Sequence, residues 1–285
     1  MSPHSSASRI KIPWALRNTP VPWGDRTGGA PPVTLNTLLH EYEAGAAYQK
    51  SLLPTLPAVP GYDLFSFHRA ANLISGDYFD CFPLSMGRIG LLVSDASGKG
   101  ICGALLAMAF RSVVRNLPPD RYERPGAFMK LANHLLRRTI RRGLFVSAVY
   151  AVLDPSRNEI TIANAGHLPM LIHHAATNKV AAYSNHGPVL GVLPSDKYGP
   201  CISEQTIHLA PRDRLILFTD GVNEAKDPAQ GEFGLSHLHN RMVRDRSRPS
   251  KEMIKNIVAE VDVHRSGWEQ SDDITIIAAQ RTSQT

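Results

Sequence analysis

The sequence lacks the features that mark several classes of protein. Its 3 cysteines, Cys81, Cys102 and Cys201, lie far apart and form no Cys-x-x-Cys pair, which excludes a disulfide framework and a thiolate metal site. No apolar run approaches the roughly 20 residues that a membrane-spanning helix needs, and the N-terminus has no apolar signal-peptide core. We therefore predict a cytoplasmic protein that does not associate with membranes.

The excess of positive charge is also small. The chain carries 31 Lys and Arg against 25 Asp and Glu, a formal net charge of +6, which falls short of the pattern typical of nucleic-acid-binding proteins. Hydrophobic residues make up 43% of the 285 residues, enough to bury a substantial core. The composition predicts a globular protein that does not bind nucleic acid.

The first 33 residues differ in composition from the rest. They are rich in Ser, Pro and Gly without apolar periodicity, so we predict a flexible leader over residues 1–33. From Thr34, apolar residues recur at three- and four-residue steps, which predicts a helix that ends before Pro54. We expect residues 34–57 to form a regulatory or linker helix, and residues 58–283 to form the main domain. The apolar face over 34–53 either packs on its own domain or binds a regulator or a second copy of the chain.

The pattern of the main domain indicates clustered strands and adjacent helices. Helices are predicted over 101–116, 125–142 and 250–263, and strands over 62–68, 89–94, 145–153, 159–163, 170–173, 205–209, 214–219 and 274–279. Because two helices are adjacent and the order is not strictly alternating, the sequence favours an α+β fold with mainly antiparallel sheets. We interpret the basic residues at the end of the 125–142 helix as a solvated C-terminus.

Four aspartates lie at predicted strand ends or tight turns, namely Asp77, Asp95, Asp220 and Asp272. A carboxylate held at the rim of a sheet is costly to leave without a compensating charge. Clusters of carboxylates suit Mg²⁺ or Mn²⁺, and a pair of such ions forms a phosphoryl-transfer centre. Alternatively, each aspartate only caps its own turn. Spacing along the sequence leaves both interpretations open.

Six motifs that include these aspartates occur in one order. They are Ser75-Gly76-Asp77-Tyr78-Phe79-Asp80, Ser94-Asp95-Ala96-Ser97-Gly98-Lys99-Gly100, Phe145-Val146-Ser147-Ala148, Asn164-Ala165-Gly166-His167-Leu168-Pro169, Phe218-Thr219-Asp220-Gly221-Val222-Asn223-Glu224-Ala225 and Asp272-Asp273-Ile274-Thr275. In sequence and order they resemble the SpoIIE-like, or RsbU-like, branch of the metal-dependent protein phosphatase (PPM) family, over roughly residues 45–280. The resemblance implies a PPM-type phosphatase domain over 58–283, built as a four-layer αββα sandwich with two central, mainly antiparallel sheets.

The resemblance also implies a site with two Mn²⁺ or Mg²⁺ ions at one end of the sandwich. Asp77 would bridge both ions, the Asp95 carboxylate and the Ala96 backbone carbonyl would bind one of them, and Asp220 and Asp272 would complete the other. Water activated between the two ions would attack phosphorus directly, so that no side-chain nucleophile is needed.

The resemblance assigns no ligand role to several other residues near this site. Ser97 stands where animal members of the family have a histidine, so no histidine general acid is assigned. Lys99 is a candidate phosphate-binding residue, with a solvated turn lysine as the alternative. Asp80 and Asp273 are interpreted as turn-forming residues or as supports for the ligands.

The function implied by the resemblance is metal-dependent hydrolysis of phosphoserine or phosphothreonine in a protein. In the bacterial branch the usual substrate is an anti-sigma-factor antagonist within a partner-switching pathway. The alternatives are a non-catalytic adaptor that keeps the fold and binds a signalling partner, and a phosphatase of small phosphoesters. The series Gly98-x-Gly100-x-x-Gly103 formally matches a dinucleotide-binding fingerprint, but the second parallel strand that this fingerprint requires is not predicted.

Overall fold

The structure, a computed structural model, describes residues 34–283, so the predicted leader over 1–33 lies outside the described residues. The described residues belong to two compact units, one up to Ser51 and one from Leu52 onwards. In the first unit, helix α1 spans Leu35–Ser51, within the range predicted from the sequence. The hydroxyl of Thr34 accepts a hydrogen bond from the backbone N–H of Thr37 at 3.2 Å and so caps the start of this helix.

The second unit contains strands and helices. The strands are β1 (Tyr62–Arg69), β2 (Asp77–Pro83), β3 (Ile89–Ala96), β4 (Val146–Asp154), β5 (Glu159–Ala165), β6 (Met170–His174), β7 (Lys179–Tyr183), β8 (His186–Gly187), β9 (Gln205–His208), β10 (Arg214–Phe218) and β11 (Ile274–Arg281). The helices are α2 (Gly100–Arg115), α3 (Pro119–Tyr122), α4 (Pro125–Thr139), α5 (Ser195–Cys201), α6 (Gly234–Arg244) and α7 (Ser250–His264). Among the described residues, no helix combines the length and apolar character needed to cross a membrane.

The strands form two sheets. One has five strands in the order β1-β11-β10-β6-β7, and the other has the order β2-β3-β4-β5-β8, with β9 also paired to β5. The β5–β8 pairing is parallel, whereas the neighbouring strands in both sheets are otherwise antiparallel. The prediction of an α+β fold with mainly antiparallel sheets is therefore confirmed.

Alternating side chains along the strands build three apolar layers, because successive residues of a strand point to opposite faces. In β3, Leu91 and Val93 are buried in the core shared by the two sheets, while Leu92 packs in the core that includes helices α2 and α4. On the far side, Ile216 and Phe218 of β10 pack with residues of α6 and α7. Two sheets lie between two helical layers, which confirms the predicted four-layer αββα sandwich.

The helix predicted over 125–142 is shorter than expected. It ends at Thr139, because Ile140 adopts an extended backbone conformation (φ −101°, ψ 158°). Residues 141–144 form a turn, in which Leu144 N–H donates to the Arg141 carbonyl at 3.2 Å and Gly143 has a positive φ of 91°. The last basic residues therefore lie in a turn that leads into β4.

Candidate functional site

The ends of four strands bring the predicted aspartates to one end of the sandwich. Asp77 begins β2 and lies directly opposite Asp95 of β3 in the antiparallel register. Asp220 lies two residues after β10, and Asp272 lies two residues before β11, the antiparallel neighbour of β10 in the other sheet. Each sheet therefore contributes two of the four carboxylates.

The carboxylate of Asp77 is hydrogen-bonded across the space between the sheets. Its Oδ2 atom accepts hydrogen bonds from the hydroxyls of Thr219 and Thr275, both at 2.6 Å. Thr219 Oγ1 in turn accepts a hydrogen bond from the Thr275 backbone N–H at 2.9 Å. Both threonines lie inside the motifs that resemble the family, but no role was predicted for them from the sequence.

Asp273 fixes the turn that precedes Asp77. One of its carboxylate oxygens accepts a hydrogen bond from the backbone N–H of Ala71, and the other accepts bonds from Ser75 Oγ and Gly76 N–H, each at 2.7 Å. Asp273 thereby ties the segment before β2 to the segment before β11. This geometry agrees with its interpretation as a turn-forming residue.

The side chain of Asp80 lies on the face of its sheet that packs against helix α2, away from the turn that precedes Asp77. Its side chain is 1% exposed and forms an ion pair with Arg115 at the end of α2, with Arg115 Nε donating to Oδ2 at 2.6 Å. Tyr78 Oη also donates to Asp80. Asp80 therefore attaches the strand that carries Asp77 to helix α2.

Two glycines allow the aspartate-bearing segments to approach closely. A Cβ atom at Gly221 would lie 2.0 Å from the backbone oxygen of Asp273, so a larger residue there meets main chain. A Cβ at Gly76 would lie 3.3 Å from the Ala96 carbonyl oxygen, and Ala96 N–H donates to the Gly76 carbonyl at 3.2 Å. The Ala96 backbone thus lies beside the segment that leads to Asp77.

The carboxylates of the site repel one another. Burial, followed by the charges of Asp273 and Asp95, holds the pKa of Asp77 well above its usual range. Burial and the charges of Asp220 and Asp272 raise the pKa of Asp95 to about 7. The pKa of Asp220 rises to about 6, through burial first and then the charges of Asp272 and Glu224. A cation at this end of the sandwich would relieve these unfavourable interactions.

Lys99 supplies one positive charge to the site. Its Nζ lies 3.2 Å from Asp272 Oδ2, and its side chain is 78% exposed. Its charge also lowers the pKa of both Asp95 and Asp220, although less than burial raises them. Lys99 is thus both solvent-accessible and ion-paired at the rim of the site, where it can also meet a phosphate group.

The donor chemistry of these residues suits a hard divalent cation, because carboxylate and carbonyl oxygens are the ligands that Mg²⁺ and Mn²⁺ prefer. In residues 34–283, however, no three His, Cys, Asp or Glu side chains are gathered closely enough to hold one ion as they stand. Thr219 and Thr275 engage one oxygen of Asp77, and Lys99 engages Asp272. The charge and donor types fit a metal, and the coordination geometry is not formed.

His167 lies beside the site as a connecting residue. Its Nδ1 is 2.8 Å from Ser147 Oγ, and its Nε2 is 3.1 Å from the Phe218 carbonyl oxygen. Burial lowers the pKa of His167 to about 4, so the ring is neutral near pH 7. With Nε2–H donating to the carbonyl and Nδ1 accepting from the hydroxyl, His167 links β4 to the end of β10.

The described residues have the fold of PP2C domains. The structure resembles the SiaA PP2C domain of Pseudomonas aeruginosa with a TM-score of 0.74 at 18% identity, covering 87% of this chain and 98% of that domain. The sequence model of the family described as Stage II sporulation protein E (SpoIIE) matches residues 85–282. The chain therefore belongs to the SpoIIE family.

Two curated relatives extend this comparison. Protein IcfG of Synechocystis is 26% identical in an alignment of 268 positions that covers 85% of this chain and 41% of IcfG. Phosphoserine phosphatase RsbU of Bacillus subtilis is 26% identical over 242 residues, covering 85% of this chain and 70% of RsbU. The chain thus spans about two fifths of the length of IcfG and 70% of the length of RsbU.

Proposed function

We propose that this protein hydrolyses phosphoserine or phosphothreonine in a protein substrate with the help of two Mn²⁺ or Mg²⁺ ions. The main support for this proposal is that both sheets contribute carboxylates to one end of the sandwich. Burial and mutual repulsion there raise the pKa values of Asp77, Asp95 and Asp220. Membership of the SpoIIE family supports the same activity. The similarity to RsbU, a phosphoserine phosphatase, supports the substrate class.

In this proposal Asp77 would hold both ions, Asp95 and the Ala96 carbonyl would hold one of them, and Asp220 and Asp272 would hold the other. When bound, the ions supply Lewis-acid activation of water and neutralise negative charge on the phosphoryl group.

The remaining residues position these ligands. The Thr219 and Thr275 hydroxyls orient the Asp77 carboxylate, and Asp273 holds the preceding turn. The exposed ammonium of Lys99 attracts the phosphate dianion to the rim. The contacts of Thr219, Thr275 and Asp273 exist without substrate, so the chain itself preorganises part of the site.

We further propose that the substrate is an anti-sigma-factor antagonist in a cytoplasmic partner-switching pathway, and that the α1 region regulates the enzyme. Deletion of residues 1–53 should change the hydrolysis rate or the oligomeric state, as measured by steady-state kinetics and light scattering. An unchanged rate together with an unchanged mass would contradict a regulatory role for this helix.

Hydrolysis of a phosphoserine protein and of p-nitrophenyl phosphate, with Mn²⁺ or with a chelator, tests the proposed activity. We expect the chelator and Asp220→Asn each to abolish hydrolysis of both substrates. Asp120→Asn is the matched control, because Asp120 is exposed on α3 and pairs only with its neighbour Arg121 among the described residues. Activity that survives the chelator would refute the metal mechanism, and binding of the phosphoprotein without hydrolysis would favour a non-catalytic adaptor.

A further inference from the structure

Helix α4 and the turn after it carry an exposed basic surface. No Asp or Glu occurs between Arg124 and Leu153 in the sequence. We define the α4 basic face by six exposed residues: Lys130, His134, Arg137, Arg138, Arg141 and Arg142. Successive members are at most four residues apart, so those within the helix follow one side of it.

The four arginines of this face have no acidic partner in the described part of the chain. Two nearby arginines outside this face do have acidic partners: Arg121 pairs with Asp120, and Arg124 lies 4.0 Å from Glu204. Charged side chains at a surface usually pair or alternate in sign, whereas a cluster of one sign creates a local potential. The α4 basic face is therefore available to a negatively charged partner.

The chain leads directly from this face to the site of the four aspartates, called the carboxylate site below. After Arg142 it reaches Phe145, whose backbone N–H donates to Ser97 Oγ and whose carbonyl accepts from Ser97 N–H, both at 2.9 Å. Two residues further on, Ser147 lies opposite Asp95 in the register of β3 and β4. A ligand on the α4 basic face can thus continue into the site.

The opposite end of the face opens into a groove of about 680 Å³ between α3, α4 and α5. Lys130 and His134 line it, together with Arg124. From Lys130 to Thr139 the helix rises by roughly 14 Å at 1.5 Å per residue, and Arg141 and Arg142 extend the face into the turn. An extended peptide of about six residues spans roughly 20 Å, enough for the helix and the turn together.

Apolar side chains are exposed next to the start of the path into the site. Ile101 and Leu105 lie one turn apart in the first half of α2 and are 59% and 66% exposed, and Phe145 is 39% exposed. Exposed apolar groups beside a charged surface are typical of protein interfaces. They favour a protein partner over a nucleic acid or a small anion.

From this arrangement we infer that the α4 basic face binds an acidic segment that flanks the phosphorylated residue of the protein substrate. The inference rests on the proposed function and adds a substrate preference to it. Glu or Asp residues within about six positions of the phosphoserine lie along α4 while the phosphate enters the carboxylate site. The arginines determine substrate affinity and do not take part in the chemical step.

Two synthetic phosphoserine peptides test the inference, one with Glu at about six flanking positions and one with Gln at the same positions. We expect kcat/KM to be about tenfold higher for the Glu peptide at low salt, because exposed pairs contribute modestly but additively. The preference should arise through KM and disappear near 1 M salt, where the Debye length falls to about 3 Å.

The double variant Arg141→Gln/Arg142→Gln should lose most of this preference and keep its rate on p-nitrophenyl phosphate, which has no flanking segment. The matched control is Lys179→Gln/Lys255→Gln, which removes the same charge from exposed positions on β7 and α7. The control should retain the preference. Retained hydrolysis of p-nitrophenyl phosphate also shows that each variant is folded.

The outcomes separate the inference from the proposed function. If no phosphoester is hydrolysed with Mn²⁺, the proposed function fails and the inference fails with it. If p-nitrophenyl phosphate is hydrolysed but the two peptides behave alike, the inference alone is refuted. Binding of single-stranded DNA that the double variant abolishes, without a peptide preference, would also refute it and would assign the surface to nucleic acid.

Discussion

Replacement of Gly221 by alanine is the sharpest test of how the site is assembled. Gly221 follows Asp220, and its Cβ position lies 2.0 Å from the backbone oxygen of Asp273, 2.8 Å from its carbonyl carbon and 3.0 Å from the backbone oxygen of Asp272. The φ angle of Gly221 is not in the left-handed region, so alanine can adopt this backbone conformation. The effect of Gly221→Ala is therefore a steric one, between two segments that carry site aspartates.

The expected magnitude follows from these distances. Ordinary contacts lie near 3.5–4 Å, so the methyl group forces the Asp220 segment and the Asp272–Asp273 segment apart by more than about 1 Å. Overpacking against main chain costs about 1–3 kcal/mol of stability. A displacement of about 1 Å in a catalytic group reduces the rate about a hundredfold.

Three measurements on Gly221→Ala check this reasoning: urea unfolding with chelator, Mn²⁺ affinity by calorimetry and kcat/KM on p-nitrophenyl phosphate. We expect the free energy of unfolding to fall by about 2 kcal/mol, with weaker Mn²⁺ binding and about a hundredfold lower kcat/KM. The matched control is Gly199→Ala in α5, where a Cβ would meet nothing within 4 Å. If Gly221→Ala behaves like this control, the close approach of the two segments does not hold the site together.

Three further predictions concern charge. The pKa values of Asp95 (about 7) and Asp220 (about 6) are raised in the folded protein, so between about pH 4 and 7 the folded protein holds protons that the unfolded chain releases. The free energy of unfolding of the metal-free protein should therefore fall as the pH rises through this range. The Tm increase caused by Mn²⁺, relative to chelator, should therefore be larger at about pH 7.5 than at about pH 5. Arg115→Met should lower the free energy of unfolding by about 3 kcal/mol, because it leaves the buried Asp80 carboxylate without its ion pair. The double variant Asp80→Asn/Arg115→Met should recover part of this loss, because it also removes the buried charge. A double variant as unstable as Arg115→Met would contradict this explanation. Lys99→Gln should bind Mn²⁺ severalfold more tightly in calorimetry, because it removes a positive charge that faces Asp272; weaker binding would show that Lys99 supports the metal ligands.

Strands that are short apolar runs could be predicted from the sequence. Ile89 to Ser94 and Arg214 to Thr219 each stop at an aspartate beside a turn, and the structure has β3 and β10 at these places. Because the signal is local, the positions of Asp95 and Asp220 at strand ends follow from it.

The strand that carries Asp77 was not predicted, because its stabilising partners are distant in sequence. Asp77 and Asp80 interrupt the apolar pattern of β2, yet both are buried. Arg115 pairs with Asp80 from 35 residues away, and Thr219 binds Asp77 from 142 residues away. No periodicity within β2 contains these compensating contacts.

Helix α6 was missed for a different reason. Leu238 and Met242 form its buried side at a helical spacing, but His237, His239 and Asn240 interrupt the apolar signal. The helix is stabilised by packing with α7 and the outer face of the five-stranded sheet. Tertiary contact decides its conformation where local propensity is weak.

The division of the four aspartates between two sheets has a mechanical consequence. Asp77 and Asp95 move with one sheet and Asp220 and Asp272 with the other, so any sliding of one sheet over the other changes the spacing within the site. The packing of the apolar layer between the sheets therefore determines how the four aspartates are aligned. A substitution that repacks this layer would thus change the distances among the four aspartates without contacting any of them.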